Sequence, residues 1–171
     1  MSKPWKASQE VHDLLDAVKT RNHLPRLELA TIVVEFKDAK PFPKNRFNWG
    51  SVSKFGSKLW LSGDFTFRFT ICADLWHDVL NEIQREAYLD LLTQRCEPVY
   101  IAQTVEVNGK KVVVKDDFGR VQFTDEIKCD DDGEPKWQIV PMDLGVMTKN
   151  VQRYGLWMEE LIEFAKVANE E

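Results

Sequence analysis

The chain has little with which to staple or anchor itself. Its three cysteines, Cys72, Cys96 and Cys129, are odd in number and far apart. They read as reduced thiols rather than a disulfide framework. No apolar run approaches the ~18 residues that a membrane-spanning helix needs. The opening MSKPWKASQEV lacks the apolar stretch of a signal peptide, so the expectation is a cytoplasmic protein with no membrane partner. Catalytic signatures are equally scarce. There is no Gly-x-Ser-x-Gly, no Gly-rich phosphate loop and no Cys-x-x-Cys, which removes the commonest hydrolase, nucleotide-binding and redox patterns.

What the chain does have is an ordinary globular composition, 43% hydrophobic and 30% charged over 171 residues. That is enough to bury a core without staples, and one domain over 1–171 is expected. The net charge of −5 is unevenly spread: residues 37–68 hold seven bases and two acids, a local +5 that leaves −10 for the rest. A basic region on an acidic body can mark an interaction surface.

Val11, Leu14, Leu15 and Val18 fall at helical spacing after Ser8, which predicts an N-terminal helix. LELATIVVEF (27–36) is β-branched and apolar, a buried strand, and KPFPKNRFNWG (40–50) reads as a loop. SVSKFGSKLWLSG is short-strand or hairpin material, and FTFRFTICAD (65–74) alternates like a half-exposed strand. Asp74 is a candidate cap for a short helix through Leu80, and Asn81 for one running to Gln94. Asn108-Gly109 between VYIAQTVEV and KKVVVK predicts a hairpin, since both turn positions need positive φ. Residues 115–136 are acidic and turn-rich, with CDDDGEP as an exposed loop, and KWQIV is a last strand. Met147, Val151, Tyr154, Met158, Leu161 and Ala165 make the stripe of a long C-terminal helix. No repeat is visible. The class is α+β, with an irregular, mostly antiparallel sheet.

In order along the chain, DFTFRFTICADLW (64–76), REAYLD (85–90) and VQRYGLW (151–157) resemble the phage-encoded metallopeptidases, small zincin-like proteins of tailed phages and prophages. The resemblance spans roughly residues 8–160 and implies a zincin-like domain whose central helix carried the active site. In that family Arg-Glu-Ala-x-Leu-Asp runs into His-Glu-Leu-x-His. Such a helix turns two imidazoles at i and i+4 toward one zinc ion, and the glutamate toward its water. Here those positions correspond to Leu91, Leu92 and Arg95, and the family's downstream His-Asp-Val-Glu-Glu-Phe becomes Met142 to Met147, keeping only Asp143. Leucine offers zinc no donor, and the Arg95 guanidinium brings a permanent charge of the wrong sign. The expectation is therefore a pseudoenzyme without metal or cofactor, in which Leu91, Leu92, Arg95 and Met142 fill vacated positions. A substitute cluster of His77, Cys96 and Asp90 is conceivable, although no pair has ligand spacing; a hydrolase with non-standard ligands is the corresponding alternative.

Two surfaces remain as binding candidates. Lys40, Lys44, Arg46, Lys54 and Lys58 interleave with aromatics that include Trp49 and Trp60. Cations beside stacking rings suit nucleic acid, although the pI near 5.3 argues against a general nucleic-acid binder. The blander alternative puts the rings in the core and the lysines in solvent. The acids between Asp116 and Glu134 either mimic a phosphate backbone or form a solvated loop; DDDGE fails the calcium-loop pattern. The phage setting that the resemblance implies makes a host protein or nucleoprotein complex the expected partner. Protein binding that blocks a host defence, such as CRISPR or restriction, or modulates a host nucleic-acid enzyme, is the leading expectation.

Overall fold

The structure is a computed structural model describing residues 3–22, 25–38, 50–55, 65–141, 144–158 and 162. It is α+β, as the sequence predicts, and forms two compact units: Met1–Cys96 with Ile139–Glu171, and Glu97–Gln138.

The first unit is built on a four-stranded sheet. Its centre is β2 (Ile32–Lys37) beside β4 (Phe67–Cys72), with β1 (Trp5–Lys6) outside β2 and β3 (Gly50–Lys54) outside β4. The outer pairings are antiparallel, but β2 and β4 run parallel in register from Ile32–Phe67 to Lys37–Cys72. A parallel pair requires a long crossover, and the intervening chain supplies it while also laying down β3. The alternation read in FTFRFTIC holds: Phe67, Phe69 and Ile71 are fully buried, in line with buried Ile32, Val34 and Phe36 across the pair. The predicted strand at 27–36 begins later, at Ile32. Pro25–Leu27 instead forms a 3-10 turn, from which Leu27 accepts the Ala30 amide at 3.1 Å.

Helix α1 (Gln9–Arg21) buries Val11, Leu15 and Val18 and packs against β2 and α2. Ser8 is its N-cap residue, but its side chain makes no capping bond. Asp74 does not cap either. The chain leaves β4 already helical, with Asp74 at φ −61°, ψ −42°. The turn Leu75–Val79 is π-helical, and Leu80 donates to Leu75 at 3.0 Å. Helix α2 (Glu82–Thr93) starts as predicted. Asn81 Oδ1 accepts the Gln84 amide and Gln84 Oε1 accepts the Asn81 amide, each at 3.0 Å. Such a reciprocal box is worth about 1 kcal/mol. Helix α3 (Leu144–Tyr154) corrects the long C-terminal helix. It ends after 11 residues at Gly155, whose φ of 72° places it in the left-handed region that stops helices. Trp157 and Met158 then turn into the core.

The second unit holds no helix. Strands β5 (Cys96–Pro98) and β10 (Trp137–Ile139) pair where it begins and ends, and β6 (Tyr100–Ala102) pairs with β9 (Phe123–Ile127). β7 (Thr104–Val107) and β8 (Lys110–Val113) form the predicted hairpin, with Asn108 and Gly109 at φ 52° and 74°. Three backbones meet at two points. Val114 donates to Gln103, Gln103 to Gln122 and Gln122 to Val114, at 2.9–3.0 Å. Likewise Lys128 donates to Val99, Val99 to Lys136 and Lys136 to Lys128, at 2.7–2.8 Å.

Between the last two members of each triangle sits a hairpin of the same build. In one, Asp116 Oδ1 accepts the amides of Phe118 and Arg120 and Gly119 has φ 78°; in the other, Asp130 Oδ1 accepts those of Asp132 and Glu134 and Gly133 has φ 83°. Residues 114–122 and 128–136 are therefore a structural repeat offset by 14 positions, which inspection of the sequence missed. Among the described residues no helix is long and apolar enough to cross a membrane.

Candidate functional site

The helix that the resemblance singles out is α2, and its C-terminal half is packed shut. Leu91 and Leu92 are buried at 4% and 1% exposure. Arg95, just past the helix, is half-buried; its Nε donates to the Val140 carbonyl at 3.3 Å while its own carbonyl accepts the Val140 amide at 2.9 Å. A zinc ion does not fit these side chains: two present only methyl groups and the third a cation already committed to a carbonyl. Met142 lies outside the described residues. His77, Cys96 and Asp90 do not gather into a substitute. The His77 ring packs tilted against Phe36, with centroids 5.0 Å apart, and the Cys96 thiol donates to the Leu92 carbonyl at 3.7 Å. Among the described residues no three His, Cys, Asp or Glu side chains stand together.

Directly before Leu91 on the same helix lies a buried polar network. Asp90, the aspartate of REAYLD, is fully buried. Its Oδ1 accepts Asn22 Nδ2 at 2.6 Å, Arg153 Nη1 at 2.7 Å and Gln94 Nε2 at 3.3 Å; its Oδ2 accepts Asn150 Nδ2 at 2.9 Å. Asn150 Nδ2 also donates to the Ala87 carbonyl at 2.8 Å, and Asn150 Oδ1 accepts Trp157 Nε1 at 2.6 Å. One carboxylate thus ties the end of α1 and the C-terminal part of α3 to α2. A buried charge is costly unless its lone pairs are satisfied; four donors satisfy these, which makes the network a structural clamp rather than a reactive carboxylate. On its rim Asn22 Nδ2 donates to the Tyr154 hydroxyl at 3.1 Å, and Arg21 pairs with Glu86. Burial raises the Tyr154 phenol above its ordinary value; the Asn22 bond opposes this, while the Asp90 and Glu86 charges add to it.

Tyr88, on the same helix, is buried with its hydroxyl unpartnered among the described residues. Burial pushes that phenol far upward, since the anion would have no solvent. It is aimed at Gly50: a Cβ there would overlap the hydroxyl oxygen and stand 2.6 Å from the Thr70 carbonyl. Gly50 is required by close approach, not by φ.

His12 is also committed. The Val34 N–H donates to His12 Nε2 at 3.2 Å, and Nδ1 stands 2.9 Å from the Ser8 carbonyl, so both ring nitrogens face backbone partners.

The basic aromatic surface is described only in part. Lys40, Lys44, Arg46, Trp49, Lys58 and Trp60 lie outside the described residues, while Lys54 is exposed on β3 opposite Phe67. Arg68, in the same region, is engaged within the fold: its Nε stands 3.3 Å from Glu35 Oε2, an ion pair without hydrogen-bond geometry, and its guanidinium lies 4.4 Å over the Phe55 ring. In the acidic segment Asp116 and Asp130 accept main-chain amides of their own hairpins, and Asp117, Asp130, Asp131 and Asp132 are exposed.

Sequence reasoning named Asp90 only as a spare metal ligand. It missed Asn22, Asn150, Arg153 and Trp157; the signal was VQRYGLW, which contributes Arg153, Tyr154 and Trp157 to one cluster. Comparison with protein-family models, curated proteins and solved structures gave no match to this chain.

Proposed function

We propose that this protein is a catalytically inactive relative of the phage-encoded metallopeptidases, zincin-like in descent, that acts in the bacterial cytoplasm by binding another protein. Its target in a phage setting is a host defence system, of the CRISPR or restriction kind, or a host nucleic-acid enzyme. That last step rests on the implied setting. The observation that carries the reading is the packing of Leu91 and Leu92 into the core beside an Arg95 held by Val140. A helix face that once opened onto a metal and its substrate is, in this reading, closed with apolar groups, so the scaffold keeps its stability while other surfaces do the work.

Elemental analysis of protein purified without chelator, alongside a peptide-cleavage assay, tests it. Substoichiometric zinc and no cleavage are expected. Stoichiometric zinc with cleavage that a chelator abolishes would establish the rival, a hydrolase with non-standard ligands. The local +5 over 37–68 favours a second reading, a nucleic-acid-binding module. It predicts DNA affinity that falls steeply between low and moderate salt; no binding at low salt ends it.

A further inference from the structure

The Glu97–Gln138 unit does not bury what a folded unit ordinarily buries. Of its residues only Pro98 and Trp137 are buried, and its order comes from backbone ladders, three glycine turns and the two hydrogen-bonded triangles. Hairpins without a covered face are marginal by themselves. Yet much of its apolar surface stays open to solvent. Eight of the fourteen large hydrophobics exposed among the described residues fall in this unit. Val105, Val107 and Val112 share one face of the β7–β8 hairpin, where Val105 stands opposite Val112 and Val107 opposite Lys110. Phe118 projects from a hairpin tip at 84% exposure and Phe123 from β9 at 59%. Apolar surface of this kind marks a contact face.

Charge decides what covers it. The unit carries ten acids and six bases, a net −4, with Asp117, Asp131 and Asp132 exposed at the tips. Lys110 on the valine face and Lys111 beside it oppose this locally, but the net charge of the whole unit disfavours polyanions, whether nucleic acid or an anionic membrane, and disfavours the same unit of a second copy.

We propose that the Glu97–Gln138 unit is the docking element of this chain, and that it takes a cationic protein surface. The partner's aliphatic groups seat on Val105, Val107, Val112 and Phe118, and its bases meet the carboxylates at the tips. This rests on the protein-binding reading above and deepens it by naming the surface and the chemistry of the partner.

The test uses the full chain. Any protein captured from bacterial lysate is identified, purified and titrated against wild type, a Val105→Thr/Val112→Thr/Phe118→Ser variant and an Asp117→Asn/Asp131→Asn/Asp132→Asn variant, each first shown to be folded by circular dichroism. The threonines keep strand propensity while removing apolar surface. Affinity for a basic captured protein is expected to fall tenfold or more in the first variant. The second should bind more weakly and lose most of the salt dependence. Unchanged affinity in both variants overturns the docking assignment, as does loss of binding only on Lys54→Glu, although the protein-binding reading then survives. Binding of the unit to duplex DNA or phosphatidylserine vesicles, or a dimer dissolved by Phe118→Ser, also overturns it. Capture of nothing overturns both.

Discussion

The two units answer the same problem, holding a chain in one conformation, in opposite ways. Met1–Cys96 with Ile139–Glu171 buries Phe67, Phe69, Ile71, Leu89 and Leu92 and sinks one carboxylate among them, fully hydrogen-bonded. Glu97–Gln138 buries two side chains and relies on main-chain geometry. In the first unit a side chain's identity is fixed by volume and by polar satisfaction. In the second, identity matters mainly at positive-φ turns and at the aspartates that fold them. The first is therefore intolerant of substitution nearly everywhere inside, and the second tolerant nearly everywhere except its tips.

The contrast can be broken by substitution. Phe69→Ala is expected to cost about 3–5 kcal/mol, read as a lower midpoint in urea unfolding, whereas Val112→Thr in the second unit should fall within about 0.5 kcal/mol; comparable losses would erase the distinction. Next in size, Asp90→Asn should cost about 3 kcal/mol, because Asn22, Asn150 and Arg153 then converge on a group with one acceptor oxygen instead of two. A near-neutral result in the same urea experiment would mean that the network is not a clamp.

Alkaline titration comes third. The folded state raises the Tyr88 and Tyr154 phenols above the ordinary 10.0, so it keeps protons that the unfolded chain loses. Their contribution is complete below pH 10 and is lost as pH climbs beyond it, by at most about 1.4 kcal/mol per pH unit for Tyr88. Tyrosinate absorbance that appears only together with unfolding is the expected signature; titration of Tyr88 in the folded protein would contradict its burial. The smallest effect is at the turns. Gly119→Ala and Gly133→Ala should each cost about 1 kcal/mol, because alanine is strained at positive φ, and the two costs should match if the hairpins are true equivalents. Thermal unfolding of the two variants side by side reads that equivalence.

The sequence showed local features well and distant ones poorly. The Asn81 cap, the Asn108-Gly109 turn and the alternation of Phe67, Phe69 and Ile71 are set by neighbours a few residues away, and all three stand as expected. The Asp90 network is not local. Apart from Gln94, its partners lie 60 to 68 positions distant, and nothing in the spacing of Asn22 or Asn150 announces a carboxylate. The parallel β2–β4 pairing is hidden for the same reason. The stripe of the C-terminal helix ran straight over Gly155, since periodicity counts apolar positions and ignores the one residue whose backbone ends the helix. The repeat escaped because its two copies share little beyond Asp-Asp-x-Gly; their likeness lies in the backbone. Of the candidate site, the sequence alone shows that Leu91, Leu92 and Arg95 cannot hold zinc, but not that Val140 occupies Arg95.

The two closed triangles of backbone bonds carry a consequence for change in length. Each branch of the Glu97–Gln138 tree is sealed at its root by groups that every residue except proline possesses. Adding a rung to any one branch moves its tip outward by two residues per strand and leaves the other roots untouched, and the extra closure entropy is a fraction of a kcal/mol. The reach of this element is thus adjustable branch by branch, like the teeth of a key cut separately from one blank.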